Sequence, residues 1–300
     1  MKEIQYRLVK MDVNGKNQFK SLHNILFKST AITFEWIDWY WKLLEGIRVY
    51  GAYSDDSLVG IWCVEPHSLM IQGAIQKVGR CFSVGVHPSF QRKGIFVNLS
   101  KFAIEEEKKL GQYTHILGFP QFGRSVIEGH LKAGWDFIQD IDIMSFKPNV
   151  VDEMSSLSKV SHLRMFTEKL SDGFVESSFY KMKRWLSHPD HHYICLSYKT
   201  AEIVIKPYGD SCHVLSLDGM PEDIGNLLDV SKTLARRHGW KEINLWCASN
   251  SKLRNVVRDC GFSVGSERGS SVKLLAVRIS SSSKLEIPEC NFQMGVEEPY

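Results

Sequence analysis

What the chain has little of narrows it first. It has no C-x-x-C pair, and its seven cysteines (63, 81, 195, 212, 247, 260 and 290) are odd in number and scattered. That pattern fits reduced, mostly buried thiols in a cytoplasm better than disulfides or a zinc site. No apolar run approaches the length of a membrane span. The first residues, MKEIQYRLVK, carry no apolar signal core, so we expect neither secretion nor membrane attachment. Charge of one sign is also scarce. A net charge of +3, from 37 basic and 34 acidic side chains, is far from the bias of a dedicated nucleic-acid binder. What remains is the balance of a soluble globular protein, 43% hydrophobic and 24% charged over 300 residues. That length suffices for one large domain or two ordinary ones, each with its own core.

The most informative stretch runs from Cys81 to Gly111. Phe82, Val84 and Val86 alternate as in a strand, which breaks at His87-Pro88 and loops through Ser89-Phe90-Gln91-Arg92-Lys93-Gly94. Ile95, Leu99, Phe102 and Ala103 then recur at helical spacing, Glu105 to Lys109 form a solvated end, and Gly111 reads as the helix stop. Strand, short basic loop, glycine and helix together aim free backbone N–H groups and a positive helix end at one point, where a phosphate binds. Arg92 and Lys93 add charge at its rim.

This V-x-V-x-P-x-x-Q-x-x-G segment with its amphipathic helix resembles the pyrophosphate loop of the GNAT superfamily of N-acyltransferases. Gln91 and Gly94 stand where that family has Arg/Gln and its first glycine, whereas Phe96 replaces the next small residue and is tolerable if its side chain turns to the core. The resemblance implies that acyl-CoA is held by Val84, Val86, Gln91, Arg92, Lys93, Gly94, Ile95 and Phe96, with the pantetheine arm lying along exposed strand backbone. Acyl-CoA is then a co-substrate, with no permanently bound cofactor.

Read in order, the chain predicts helices over Asn17–Phe27 and Thr33–Leu44 and a hairpin of Val49–Tyr53 with Leu58–Pro66. A third strand through Ser68–Gly73 leads to Cys81–Val86, and then come the central helix, a strand Thr114–Phe119, a helix Ser125–Ala133 and a strand Phe137–Phe146. That is the GNAT order. After a polar linker, Pro221–His238 with Gly239, Glu242–Cys247 and Cys260-Gly261-Phe262 repeat the first half at a near-constant offset. The expected fold class is therefore α/β, an α+β mixed sheet made of two GNAT-like halves in tandem: residues 1–147, a linker over 148–161, and a degenerate half over 162–300. Asp218-Gly219-Met220-Pro221-Glu222-Asp223 replaces the basic loop in the second half, and two carboxylates with a proline make a poor phosphate cradle.

For proton handling, the family often has a Tyr four residues before its late glycine; here that place holds His130, and in the second half Val257. His87 and Glu65 are the further catalytic candidates. His188, His191 and His192 lack a Cys or carboxylate at ligand spacing, so no metal site is expected. The resemblance implies an N-acyltransferase acting on a primary amine, and tandem members suggest the amino group of a nucleotide-linked amino sugar in surface-polysaccharide assembly. One such transfer carries 3-hydroxybutanoyl to a dTDP-linked 3-amino-3,6-dideoxyhexose. Trp62, Trp135, Arg124, Arg184 and Trp185 are candidates to stack a base or pair a diphosphate, with core packing the alternative for the tryptophans, and the C-terminal tail (Ile287–Phe292 and on to Tyr300) either covers a cleft between the halves or closes the second sheet as a strand. An aminoacyl-tRNA-dependent ligase and a non-catalytic acyl-CoA sensor are the alternatives. Monomer and homodimer both stay open.

Overall fold

The structure, a computed structural model, describes residues 3–121, 125–148, 160–163, 165, 166, 173–265, 271–280, 285, 287 and 292. In the first half, β1 (Ile4–Leu8), α1 (Val13–Leu26) and α2 (Phe34–Leu43) precede a meander of β2 (Arg48–Ser54), β3 (Ser57–Ile71) and β4 (Ala74–Val86). Then come α3 (Ile95–Leu110), β5 (His115–Gly118), α4 (Val126–Lys132) and β6 (Asp136–Phe146). The second half begins with β7 (Ser161–His162), β8 (Gly173–Val175) and α5 (Ser178–Lys181), the last running into a wider helical turn at Met182–Leu186. It continues with β9 (Ile194–Tyr198), β10 (Ala201–Tyr208), β11 (Ser211–Asp218), α6 (Pro221–His238) and β12 (Glu242–Ala248). The last elements are α7 (Leu253–Asp259), β13 (Ser263–Val264) and β14 (Ser271–Arg278).

Local chemistry starts the helices, α2 after the expected Thr33 but α1 at Val13, four residues before the expected Asn17. Asp12 caps α1 by accepting the Gly15 N–H at 2.9 Å, and Thr33 caps α2 by accepting that of Trp36 at 3.0 Å. Two features were not foreseen. β1 pairs antiparallel with β2 at the sheet edge. β3 and β4 form one long hairpin turning at Gln72-Gly73, both with positive φ (51° and 77°), the geometry of a two-residue hairpin loop. The expected separate strand through Ser68–Gly73 is instead the end of β3 and its turn, and β4 is continuous from Ala74 to Val86.

The strands make one mixed sheet in the order β1-β2-β3-β4-β5-β14-β6-β12-β11-β10-β9-β7. The two halves are not side by side but interleaved. β14, the last strand of the second half, pairs with β5 of the first, while β6 of the first half pairs with β12 of the second. β6 and β14 also pair with each other, so neither half closes its sheet without the other.

The core divides accordingly. α1 and α2 cover one face of the meander, and α3 and α4 cover the other through Ile95, Leu99, Ala103, Trp62 and Trp135. α6 and α7 cover the second half. A central cluster of Leu69, Leu117, Phe119, Phe174, Trp185 and Trp246 fills the junction. From the tail, Leu285, Ile287 and Phe292 are buried in that cluster, with Phe292 packed on Phe119 and Phe174. The described part of the tail is therefore core, and the expected covering role of residues 293–300 lies outside the described residues.

Candidate active site

β4 and β5 run parallel and pair at Val78–His115, Gly79–Ile116 and Arg80–Leu117. The ladder stops there. Beyond Arg80, the β5-facing edge of β4 has no strand partner among the described residues. The separation has a local cause. Ile61 pairs with Gly85 and Cys63 with Phe82, so Ser83 and Val84 together oppose Trp62 in a bulge, and Ser83 takes φ 45°. A left-handed non-glycine residue costs about 1–3 kcal/mol, and such strain collects at functional sites. The Ser83 hydroxyl is buried and has no hydrogen-bond partner among the described residues.

The phosphate loop follows. Pro88–Phe90 form one tight helical turn, whose start is capped by His87: its Nδ1 accepts the Ser89 N–H at 3.3 Å. The Gln91 amide donates to the Val86 carbonyl at 3.0 Å, so Gln91 ties the loop to the strand end. Arg92 (φ 60°) and Gly94 (φ 74°) are both left-handed, the alternation that turns successive N–H groups toward one point. Nothing lies within 4 Å of where a Cβ on Gly94 would stand. α3 opens with the Asn98 N–H on the Gly94 carbonyl at 3.1 Å, which leaves the N–H groups of Ile95, Phe96 and Val97 without an intrahelical acceptor. Phe96 does not stand in the way. Its ring packs on Gly129, where a Cβ would come within 2.6 Å of it, and edge-on to His130. The amide array and the positive end of a 16-residue helix make a site for a doubly charged phosphate chain.

The other candidates fall elsewhere. His130 is corrected: it is buried between Phe96 and Trp135, with its ring 4.5 Å from that of Trp135, and burial lowers its pKa to about 4. It is neutral at physiological pH and walled off from water, so it serves the packing of α4. Glu65 is corrected as well. It is fully buried on β3, where Arg80 and His67 hold one carboxylate oxygen and the Tyr40 hydroxyl donates to the other. Burial opposes its charge, but Arg80 and His67 outweigh that and keep it well below the usual carboxylate range. A carboxylate already saturated by three donors is no general base.

Arg80 also donates to Tyr40 at 3.0 Å, and Tyr180 and Arg184 continue the cluster from the second half, joined by a 2.9 Å bond. This cluster was missed from sequence, although Glu65 and Arg80 each interrupt an apolar strand with opposite charge. Trp62, Trp135, Trp185 and Arg184 are all buried, so they do not present a stacking surface; Arg124 lies outside the described residues. The second half has no comparable loop. β11 ends at Asp218 and α6 begins at Pro221, and Asp223 accepts the Thr200 hydroxyl at 2.7 Å.

Two interleaved α/β units, the first with an open loop before its helix, are the arrangement to set beside known proteins. Residues 8–125 match the Acetyltransferase (GNAT) domain family. The fold is shared with solved proteins of low identity. A GCN5-related N-acetyltransferase from Anabaena variabilis aligns with 93% of this chain and 73% of its own, at TM-score 0.63 and 12% identity. One from Kribbella flavida aligns over 91% and 71%, at TM-score 0.63 and 12% identity. A tandem GNAT protein from the clavulanic acid biosynthesis pathway aligns over 94% of this chain and all of its own (100%), at TM-score 0.60 and 11% identity. No curated protein sequence matches the chain.

Proposed function

We propose that the protein transfers an acyl group from acyl-CoA to a primary amine, using the first half alone to hold the donor. The observation that carries this reading is the left-handed Arg92–Gly94 loop, set between a bulged strand end and the open amides of α3. The pyrophosphate sits on the amides of residues 91–96, and the pantetheine arm lies along the unpaired edge of β4 beyond Arg80. The amine nitrogen attacks the thioester carbon, the C–S bond breaks, and the thiolate leaves. A backbone N–H near Val86 stabilises the oxyanion. The amine proton passes to water; among the three side chains considered, only His87 is at the loop, and its Nδ1 is occupied by the Ser89 N–H. Val84 is partly exposed at the bulge and Val86 is buried at the strand end, both in position to contribute backbone rather than side chain.

The acceptor is a small amine. A nucleotide-linked amino sugar is the class to test first, on the tandem architecture alone, with a dTDP-3-amino-3,6-dideoxyhexose and 3-hydroxybutanoyl-CoA as one donor–acceptor pair. The test is Gly94→Asp measured by calorimetry against acetyl-CoA and by mass spectrometry of products from a panel of amines. Loss of CoA binding together with loss of product is expected. A variant that binds acetyl-CoA like the parent would put the donor elsewhere.

A further inference from the structure

The short helices α4 and α7 are each followed by a glycine of positive φ, Gly134 at 94° and Gly261 at 83°. Beside Gly261 the space is taken. The Phe146 ring reaches within 3.5 Å of where a Cβ would stand, packs on Phe262 at 5.5 Å, and lies under the Lys232 amine at 5.0 Å. Beside Gly134 nothing lies within 4 Å. Register supplies the reason. Phe146 pairs with Ile243, the second residue of β12. The interleaved counterpart in the first half is Val277, which pairs with Ile116, the second residue of β5. The second half thus places a phenylalanine where the first places a valine.

At that place the first half has a cavity of about 980 Å³. Ile104, Val277 and Ile279 line it with apolar surface. Its charged groups are Lys101, Lys108 and Arg278 against Glu105 and Asp136. Glu105 is engaged by Lys108 at 2.8 Å, whereas Lys101 and Arg278 have no ion-pair partner among the described residues; Asp136 is the one unpaired acid. His115 also lines it, 97% buried (3% exposed), with Nδ1 unpartnered. A buried, unsatisfied ring nitrogen costs free energy unless a ligand or water meets it. Along α3, Ile104 lies nine residues beyond Ile95, about 14 Å from the phosphate loop at 1.5 Å per residue.

We propose that this cavity is a second ligand site, separate from the acyl-CoA loop, for a small organic anion with an apolar body. The apolar part lies against Ile104, Val277 and Ile279. Lys101 and Arg278 meet the anionic group, and His115 meets a polar atom near the floor. Two free cations against one free acid select an anion over a cation, and the half-apolar lining selects against a bare inorganic ion.

The probe is 8-anilinonaphthalene-1-sulfonate, an anion on an aromatic body, titrated into the full-length protein with fluorescence and calorimetric readouts. One equivalent is expected to bind to the parent and to remain bound in excess acetyl-CoA. Val277→Phe, which copies the plug of the second half, should weaken dye binding at least tenfold and leave acetyl-CoA affinity unchanged. Arg278→Glu, at the exposed rim, should weaken it severalfold, and it serves as the decisive variant if Val277→Phe does not fold. Dye affinity unaltered in a folded Arg278→Glu, or displacement of the dye by acetyl-CoA, overturns the proposal. Because acetyl-CoA is scored separately, failure here leaves the acyltransfer reading untouched, and the reverse also holds.

Discussion

The two strand–loop–helix junctions differ in one feature and agree in another. Between β4 and α3, residues 87–94 build a loop with two left-handed residues and open amides. Between β11 and α6, only Gly219 and Met220 intervene, and the helix then starts on Pro221, which has no N–H to offer. The strand before each junction is nevertheless bulged. Val204 pairs with Ser216 and Ile205 with Val214, so Leu215 is extra on β11 just as β4 carries an extra residue at Ser83–Val84. Bulging of the strand thus occurs beside an open loop and beside a closed helix start alike. The loop, not the bulge, sets the open amides of α3 apart from the closed start of α6.

The halves differ again in their buried charges. In the first, Tyr40 on α2, Glu65 on β3 and Arg80 on β4 form a cluster without solvent. In the second, the corresponding elements hold Lys181, Glu202 and Asp218 at 3.4–3.7 Å, with Asp218 less deeply buried. Removing one partner of a buried pair leaves the other charge uncompensated, at about 3–5 kcal/mol. Glu65→Ala should therefore cause the largest loss in this series, read as a fall in denaturation midpoint. Lys181→Ala should lose less, since Asp218 retains contact with water. Equal losses would erase this part of the contrast.

Next in size is the loop itself. Gly94→Asp forces a side chain into a left-handed position and sets a carboxylate where the pyrophosphate would lie, so acetyl-CoA affinity should fall about 100-fold, nearly 3 kcal/mol. Stability should change far less, because the Cβ meets open space. If Asp223→Ala in the second half lowered CoA affinity as much, the assignment of the donor to the first half would fall.

A comparable effect is expected from acid. His130 titrates near 4 in the folded protein and near 6.5 when unfolded, because burial disfavours its charged form. The unfolded chain binds the extra proton between these values, so stability is full above about pH 6.5 and falls as pH drops toward 4. The loss amounts to up to about 3 kcal/mol from this residue. His130→Leu should flatten that limb in pH-dependent melts while leaving the pH profile of turnover unchanged. A turnover profile altered near neutrality would return His130 to the chemistry.

Smallest is the closed junction. Asp223→Ala removes acceptance of the Thr200 hydroxyl and N–H near the start of α6, and should lower the melting temperature slightly with no change in acetyl-CoA binding. Calorimetry and thermal melts on the one variant read both.

Much of the fold was legible because it rests on local signals. The period of the apolar residues placed α3 and α6, Thr33 marked the start of α2, and the spacing of helix, glycine and strand exposed the repeat. The turn into α3 was legible for the same reason, since its left-handed residues and open amides depend on a short contiguous segment. His130 and Glu65 misled because a titratable residue shows its type in sequence but not its depth. An aromatic sandwich made His130 a neutral core residue, and three donors from separate elements saturated Glu65.

By itself, then, the sequence determined the two repeated α/β units and which of them has an open basic loop before its helix, since turns, caps and periodicity act over a few neighbouring residues. Only the tertiary structure decided that β6 and β14 cross into each other's halves, that the tryptophans and the tail residue Phe292 are core, and that the first half keeps a cavity its copy has filled. Those outcomes depend on contacts between residues more than a hundred positions apart, such as Phe146 with Gly261 and Val277 with Ile116. Side-chain volume and strand register settle them together.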